Sequence, residues 1–330
     1  MRMRLFNRTD VAVSEVGLGT WQLGGTEWGE VSDQQAMDTL LAAAEAGITF
    51  IDTADIYGMG RSETLIGRFL AGRLDRESFF IATKLGRHPQ PGWPANFTRD
   101  VIFQHTEASL RRLGVEALDL TQTHCIPLDV MRRGEVFEHL RELKRQGKIK
   151  NFGASVESME EALLCLEQEG LASLQIIFNI FRQKPAEVLF QRAKQQGVAL
   201  IVRLPLASGL LSGKITRDTV FAENDHRWFN RNGEHFNVGE TFAGLPFEKG
   251  VELANALKPL VPNGMTMAQM AIRWCLDFDA VTTVIPGAKR PDQVRDNALA
   301  SELPPLPETL HERLKRFYHD EVIQHIRGPY

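Results

Sequence analysis

Eight short apolar runs rich in β-branched residues punctuate this chain, most of them giving way to an amphipathic helical pattern, and few folds absorb that alternation. Residues 16–20, 48–52, 79–84, 118–124, 149–155, 174–178, 198–204 and 281–285 read as strands. Helical periods follow at 33–46, 62–71 and 98–113, in a helix reaching 146, after 155, and at 185–196. The last barrel helix opens at Pro291. Asp33 and Ser62 sit where helices begin, and Gly47, Gly72, Gly114 and Gly147 where they stop. Eight strand–helix repeats predict an α/β fold, a (β/α)₈ TIM barrel, as a single domain over residues 1–330.

Three segments fall outside the repeat. Residues 4–14, with an Asn7-Arg8-Thr9-Asp10 turn, predict a hairpin that plugs the barrel bottom. Residues 217–249 lack a period but carry His226, Trp228, Phe229 and Phe236, which predicts a rim lid over a cleft. Residues 307–325 predict an extra C-terminal helix.

Composition narrows the setting. The formal charge is 38 − 42 = −4, with 43% hydrophobic and 24% charged residues, which fits a globular chain with a sizeable core. No basic footprint for nucleic acid and no bilayer-length apolar run is present. The first residues lack the apolar stretch of a secretory signal. Cys125, Cys165 and Cys275 are few and scattered, as expected in a reducing compartment. A cytoplasmic protein acting on a small molecule is expected, and nothing in the sequence sets an oligomeric state.

A barrel brings its strand ends to one rim. There strand two ends in Asp52, strand three in Lys84 and strand four in His124, and Tyr57 lies five residues past Asp52. Each has an ordinary alternative: a helix cap, a solvated strand end, an interior histidine, loop filler. Together they form a proton-transfer set. A free phenol titrates near pH ~10 and is a reluctant acid. A neighbouring ammonium is expected to lower that value, and a carboxylate to keep the ammonium charged. Tyr57 is then a general acid, Lys84 its activator, Asp52 the anchor of Lys84, and His124 the group that orients a substrate oxygen. No His-x-x-x-His or Cys-x-x-Cys spacing supports a metal site.

These residues resemble the aldo-keto reductase superfamily over nearly the whole chain. Gly17-Leu18-Gly19-Thr20-Trp21 is similar to its opening strand, and 50–58 with Ser62-Glu63 to its most specific signature. Ile81-Ala82-Thr83-Lys84 and the run 118–124 complete the set. The resemblance implies NAD(P)H-dependent oxidoreduction, with Asp52, Tyr57, Lys84 and His124 as the catalytic residues.

It also implies a cofactor laid across the rim. Thr20 and Trp21 would lie beside the pyrophosphate and nicotinamide, and Asp52 near the ribose. Ser155 and Gln175 would hold the carboxamide, whereas Val156 stands where the family usually has Asn. Leu204, Leu206, Ser208 and Gly209 follow strand seven, and Lys214 folds over the pyrophosphate. Gly287, Lys289, Arg290, Gln293 and Asn297 match the adenosine-phosphate segment, at a loop and helix N-terminus suited to an anion. Lys289 and Arg290 favour NADPH over NADH. Arg203 stands where an aromatic usually stacks on the nicotinamide. It is expected to favour the neutral reduced cofactor or to pair with a ligand anion; otherwise it is a buried arginine bound to an acid that the sequence does not name.

Residues 209–214 lack the spacing of a nucleotide-hydrolase loop, and no dinucleotide fingerprint completes a Rossmann unit. The expected activity is reduction of aldehydes or ketones, in a pocket of Trp21, Tyr57, His124, His226 and Trp228. Two alternatives are a cofactor-binding regulatory or sensor subunit with weak activity and a Schiff-base lyase using Lys84.

Overall fold

The computed structural model describes residues 1–6, 9–25 and 27–330. Strands β1 (Met3–Phe6) and β2 (Val11–Ser14) pair antiparallel, Met3 opposite Ser14 and Phe6 opposite Val11. Asn7 and Arg8 of the expected turn lie outside the described residues. Phe6 is fully buried, 4.7 Å from the ring of Phe80 and 6.0 Å from that of Phe50. With Val13, Leu120, Ala199 and Ile201 it fills the barrel interior, so the hairpin is the expected plug.

The barrel strands are β3 (Leu18–Gly19), β4 (Phe50–Asp52), β5 (Phe80–Leu85), β6 (Leu120–His124), β7 (Phe152–Ser155), β8 (Ser173–Ile177), β9 (Ala199–Arg203) and β10 (Val281–Val284). Each pairs parallel with the next in chain order. Bridges Val16–Val284 and Gly19–Gly287 close the ring, with Gly17 N–H donating to the Val284 carbonyl at 2.8 Å. The second core lies between these strands and the surrounding helices.

Boundaries differ from expectation where local chemistry decides them. Ser32, not Asp33, caps the first helix, accepting from Gln35 N–H at 3.2 Å. Gly60, at φ 90°, caps the helix Arg61–Ala71, which leaves Ser62 inside its first turn. The helix expected to reach 146 is two, Leu128–Arg133 and Glu135–Arg145, because Gly134 breaks it at φ 78°. Residues 185–196 likewise divide into Lys184–Val188 and Phe190–Gln195. Between β9 and β10 lie helices Phe247–Leu257 and Met267–Leu276, the latter with a Thr266/Gln269 capping box. Residues 217–249 are ordered into one helical turn, His226–Phe229, two 3₁₀ turns, Val238–Glu240 and Phe242–Gly244, and the start of Phe247–Leu257. The expected C-terminal helix is Glu308–Phe317, continued by Tyr318–Val322 and Ile323–His325. No described helix is long and apolar enough to cross a membrane.

Candidate active site

Parallel register and a side-chain period of two leave every second residue inside the barrel. Asp52 therefore stands beside Ala82, Lys84 beside Gln122, His124 beside Ser155, and Ser155 beside Gln175. Lys84 Nζ donates to Asp52 Oδ1 at 2.6 Å, to the Thr53 carbonyl at 2.9 Å and to the Tyr57 hydroxyl at 3.2 Å. Asp52 Oδ2 accepts from Gln175 Nε2 at 2.7 Å and Gln122 Nε2 at 3.4 Å. A buried pair survives when the remaining polar atoms find partners, and these two amides are those partners.

The loop after β4 carries Tyr57 and is held from both ends. Tyr57 N–H donates to the Ala54 carbonyl and Ser62 N–H to the Tyr57 carbonyl, both at 3.2 Å. The Ser62 hydroxyl, 2.8 Å from that of Thr20 and 2.9 Å from that of Thr53, ties this loop to β3. Gly58, at φ 58°, packs so closely on Gly24 that a Cβ there would lie 2.3 Å from the Gly24 carbonyl oxygen. The Tyr57 ring stacks 6.0 Å from Trp21 and meets His124 edge-on at 5.8 Å.

Electrostatics correct one expectation. Burial pushes the Tyr57 phenol up to about 12; the Lys84 charge pulls it down without overcoming burial. A lowered phenol, expected from Lys84 alone, is not what this environment produces. Burial also lowers Lys84, but Asp52 and Tyr57 outweigh it and its ammonium is raised above its ordinary value. Burial, with Arg87, Lys84 and Arg203 nearby, holds His124 well below the ordinary imidazole range. Its Nδ1 has no partner. A neutral imidazole and a protonated phenol both retain a proton to donate.

These groups open into a cleft of about 1130 Å³, roomier than the roughly 300–1,000 Å³ of pockets for drug-sized ligands. Its inner end has Trp21, Asp52, Tyr57, His124, Ser155, Gln175 and Arg203; Lys84 lies beneath it. Thr20, Leu204, Leu206, Ser208 and Gly209 line the middle, and Lys214, Gly287, Lys289, Arg290, Gln293 and Asn297 the outer end. The hydroxyl of Thr20 turns to the Asp52 carbonyl at 2.8 Å. A Cβ on Gly287 would lie 2.1 Å from the Gln22 amide, so its bare backbone makes room for Gln22. Gln293 Oε1 accepts from Lys289 N–H at 3.0 Å, and Arg290 is paired with Asp292 at 3.0 Å. A basic outer end, and a buried inner end at which Tyr57 and His124 are neutral proton donors, fit an elongated, phosphate-bearing dinucleotide.

The sequence matches the model of the Aldo/keto reductase family across residues 15–319. The chain belongs to the aldo/keto reductase family. It is 31% identical to the aldo-keto reductase YhdN of Bacillus subtilis, over 87% of this chain and 84% of that protein. It is 30% identical to an NADH-specific methylglyoxal reductase of Escherichia coli, over 88% and 91%. Among solved structures it resembles aldo-keto reductase AKR11C1 of Bacillus halodurans at TM-score 0.77 and 28% identity, over 96% of each chain. The glycerol dehydrogenase AKR11B4 of Gluconobacter oxydans matches at 0.79 and 29%, over 99% of this chain and 97% of that one. This aldo/keto reductase is an oxidoreductase of carbonyl compounds, in a family that uses NAD(P)H.

Two pocket expectations fail in this aldo/keto reductase. His226 is fully buried, packed 4.7 Å from Trp21 and 4.4 Å from Trp28, and burial pushes its imidazole down to about 4. Trp228 is half-exposed and does not line the cleft. Phe236, His235, Val238, Trp28 and Trp93 line it instead. A single helical turn points residues two apart in different directions, and an aperiodic segment gave no way to choose among its aromatics. Arg203 is also not free for a ligand anion, because it pairs with Glu240 of the rim segment. Cys125, Glu157 and Glu240 place one ligand atom each within 4.8 Å of one another. Arg203 already donates to Cys125 and Glu240, and Arg87 to Glu157, so cationic side chains serve this cluster.

Proposed function

We propose that the protein reduces aldehyde or ketone carbonyls to alcohols with NADPH, and that Tyr57 is the general acid. The observation that carries this reading is the Asp52–Lys84–Tyr57 chain of contacts, ending in a phenol at the inner end of a deep cleft beside a neutral His124. The cofactor, when bound, supplies the hydride. Tyr57 supplies the proton to the oxygen on which negative charge develops, and a donor that meets charge appearing only in the transition state raises turnover. Lys84 holds that phenol by hydrogen bond and charge, Asp52 holds Lys84, and His124 orients the carbonyl oxygen. Ser155 and Gln175 are the residues that would hold the carboxamide, though Gln175 also donates to Asp52. Lys214, Lys289 and Arg290 are those that would meet the phosphates.

Preference for NADPH rests on Lys289 and Arg290. Two facts weigh on it: Arg290 already pairs with Asp292, and one relative is NADH-specific. The names of two similar proteins, a methylglyoxal reductase and a glycerol dehydrogenase, favour small oxygen-rich substrates, and the close walls of Trp21, Tyr57 and His124 suit them. Lys84 already has three hydrogen-bond acceptors and a raised affinity for its proton, which argues against a Schiff-base nucleophile.

The test is cofactor oxidation with a panel of aldehydes and ketones. Tyr57→Phe should lose about a hundred- to ten-thousand-fold in rate while binding cofactor as before. Retained turnover in that variant would overturn the assignment. Lys289→Ala with Arg290→Ala should lower kcat/KM for NADPH far more than for NADH; equal losses would count against the 2′-phosphate role.

A further inference from the structure

Arg203 is a buried guanidinium at the inner end of the cleft, where the neutral proton donors gather. One NH group donates to Glu240 Oε2, and the other to the Val156 carbonyl at 2.9 Å, with Cys125 Sγ at 3.6 Å. Its Nε has no partner. Glu240 comes from the rim segment and is buried too. Its backbone is fastened to the cleft floor: the Ser208 hydroxyl donates to the Glu240 carbonyl at 3.1 Å and accepts from Phe242 N–H at 3.0 Å. A neighbouring pair, Arg87 and Glu157 at 2.8 Å, is self-neutralising. Glu161 lines the cleft as well, but its carboxylate accepts from the Glu157 and Ser158 N–H groups, so the charge left around Arg203 turns on Glu240.

That balance matters because the two forms of a nicotinamide cofactor differ in charge at one place. The oxidised ring is cationic and the reduced ring neutral, so a fixed charge beside it acts on one form only. We propose that Glu240 sets the preference between oxidised and reduced cofactor by neutralising Arg203. The proposal rests on the reading of this cleft as a nicotinamide site. Arg203 alone repels the oxidised ring; with Glu240 docked, both forms are accommodated. The wall already acts on the reactive groups, since Arg203 contributes to holding His124 neutral and Glu240 to raising Tyr57. Charges in a recessed site act more strongly than the same charges in water, and a guanidinium keeps its charge even when its partner is removed.

The experiment measures the dissociation constants of NADP⁺ and NADPH by calorimetry on the intact protein and on single variants. Glu240→Gln, which keeps shape but removes charge, should raise the ratio of oxidised to reduced Kd by about tenfold, the equivalent of about 1.4 kcal/mol. Arg203→Met, leaving a lone carboxylate, should lower it. Arg203→Lys, which keeps the charge but not the fork, should hold it near the wild-type ratio. A purely structural role would weaken both cofactor forms equally in Met and Lys variants alike. A ratio unchanged within about twofold in Glu240→Gln overturns the proposal, and Arg203→Met decides it if Glu240→Gln does not fold. Failure of the wild-type protein to bind NADP⁺, NADPH, NAD⁺ or NADH would instead overturn the nicotinamide reading itself.

Discussion

Arg203 donates to the Val156 carbonyl at 2.9 Å, and that bond joins the two positions at which the chain leaves the pattern it otherwise follows. Valine at 156 offers no side-chain donor, and arginine at 203 offers no aromatic face. The guanidinium spans β9, the end of β7 and the rim segment through Glu240. Restoring an aromatic at 203 alone is therefore expected to fail. Arg203→Phe leaves Glu240 buried without its cation and should cost about 3–5 kcal/mol. Adding Glu240→Leu should recover much of that loss. Urea denaturation of both variants checks this, and equal stability of the single and wild-type proteins would contradict it.

The pH dependence of turnover follows from Tyr57 and His124. Tyr57 must be protonated to act as the acid. Its phenol, pushed up by burial to about 12, stays protonated across the whole neutral and mildly alkaline range. Reduction should therefore keep a flat kcat/KM through pH 9–10. Alcohol oxidation, which needs the phenolate, should climb with pH over the same range. His124, held well below its ordinary range, should add no limb near pH 6.5. A reduction profile that falls through pH 8, and vanishes in Tyr57→Phe, would show that the phenol is activated more strongly than its surroundings here allow.

Legibility in the sequence tracked locality. The barrel was legible because eight repeats each obey a period set by neighbours a few residues away. Asp52, Lys84 and His124 were legible because ionisable groups at the ends of uncharged runs are conspicuous, and strand ends share a rim. The acid for Arg203 was not, because Glu240 is 37 residues further on, in a segment with no period to orient it. His226 misled for the same reason: its type suits a pocket, but only packing against Trp21 and Trp28 tells that it lies behind the wall. The net shift at Tyr57 was hidden too, since the charge of Lys84 can be read from sequence and the degree of burial cannot.

Asp55 predicts how stability should change with pH. It lies two residues before Tyr57, on the same loop, and no side chain hydrogen-bonds its carboxyl oxygens. Burial, then the charge of Glu63, raises it from 3.8 to about 8, against the opposing pull of Arg112 and Lys84. His105 approaches only to 4.0 Å. An acid raised on folding binds its proton more tightly in the native state, so its stabilising contribution is complete below about pH 4. It is lost as pH climbs towards about 8, at up to roughly 1.4 kcal/mol per unit. Asp55→Asn cannot titrate and should show a flatter profile, gaining on the wild type between pH 5 and pH 8. Denaturant midpoints at those two values measure it; parallel profiles would mean that Asp55 is ionised throughout.

Gly58 links backbone geometry to turnover. It follows Tyr57 directly, holds φ 58°, and leaves no room for a Cβ, which would lie 2.3 Å from the Gly24 carbonyl and 3.0 Å from Arg61 Cβ. Gly24 returns the constraint, since its own Cβ would lie 2.8 Å from Gly58 N. Backbone atoms cannot rotate away as a flexible side chain can, so Gly58→Ala must move one loop or the other. The left-handed backbone adds about 1–2 kcal/mol of strain for any residue with a Cβ. Because Tyr57 is the adjacent residue, displacement falls on the 3.2 Å contact between its hydroxyl and Lys84. A misplacement near 1 Å at a reacting group can cost about a hundredfold in rate. The expected signature is a kcat lowered by about that factor, a larger effect than any change in cofactor Kd. Steady-state kinetics with calorimetric cofactor binding would test it, and a kcat within threefold of wild type would show that the loop absorbs the methyl group without moving Tyr57.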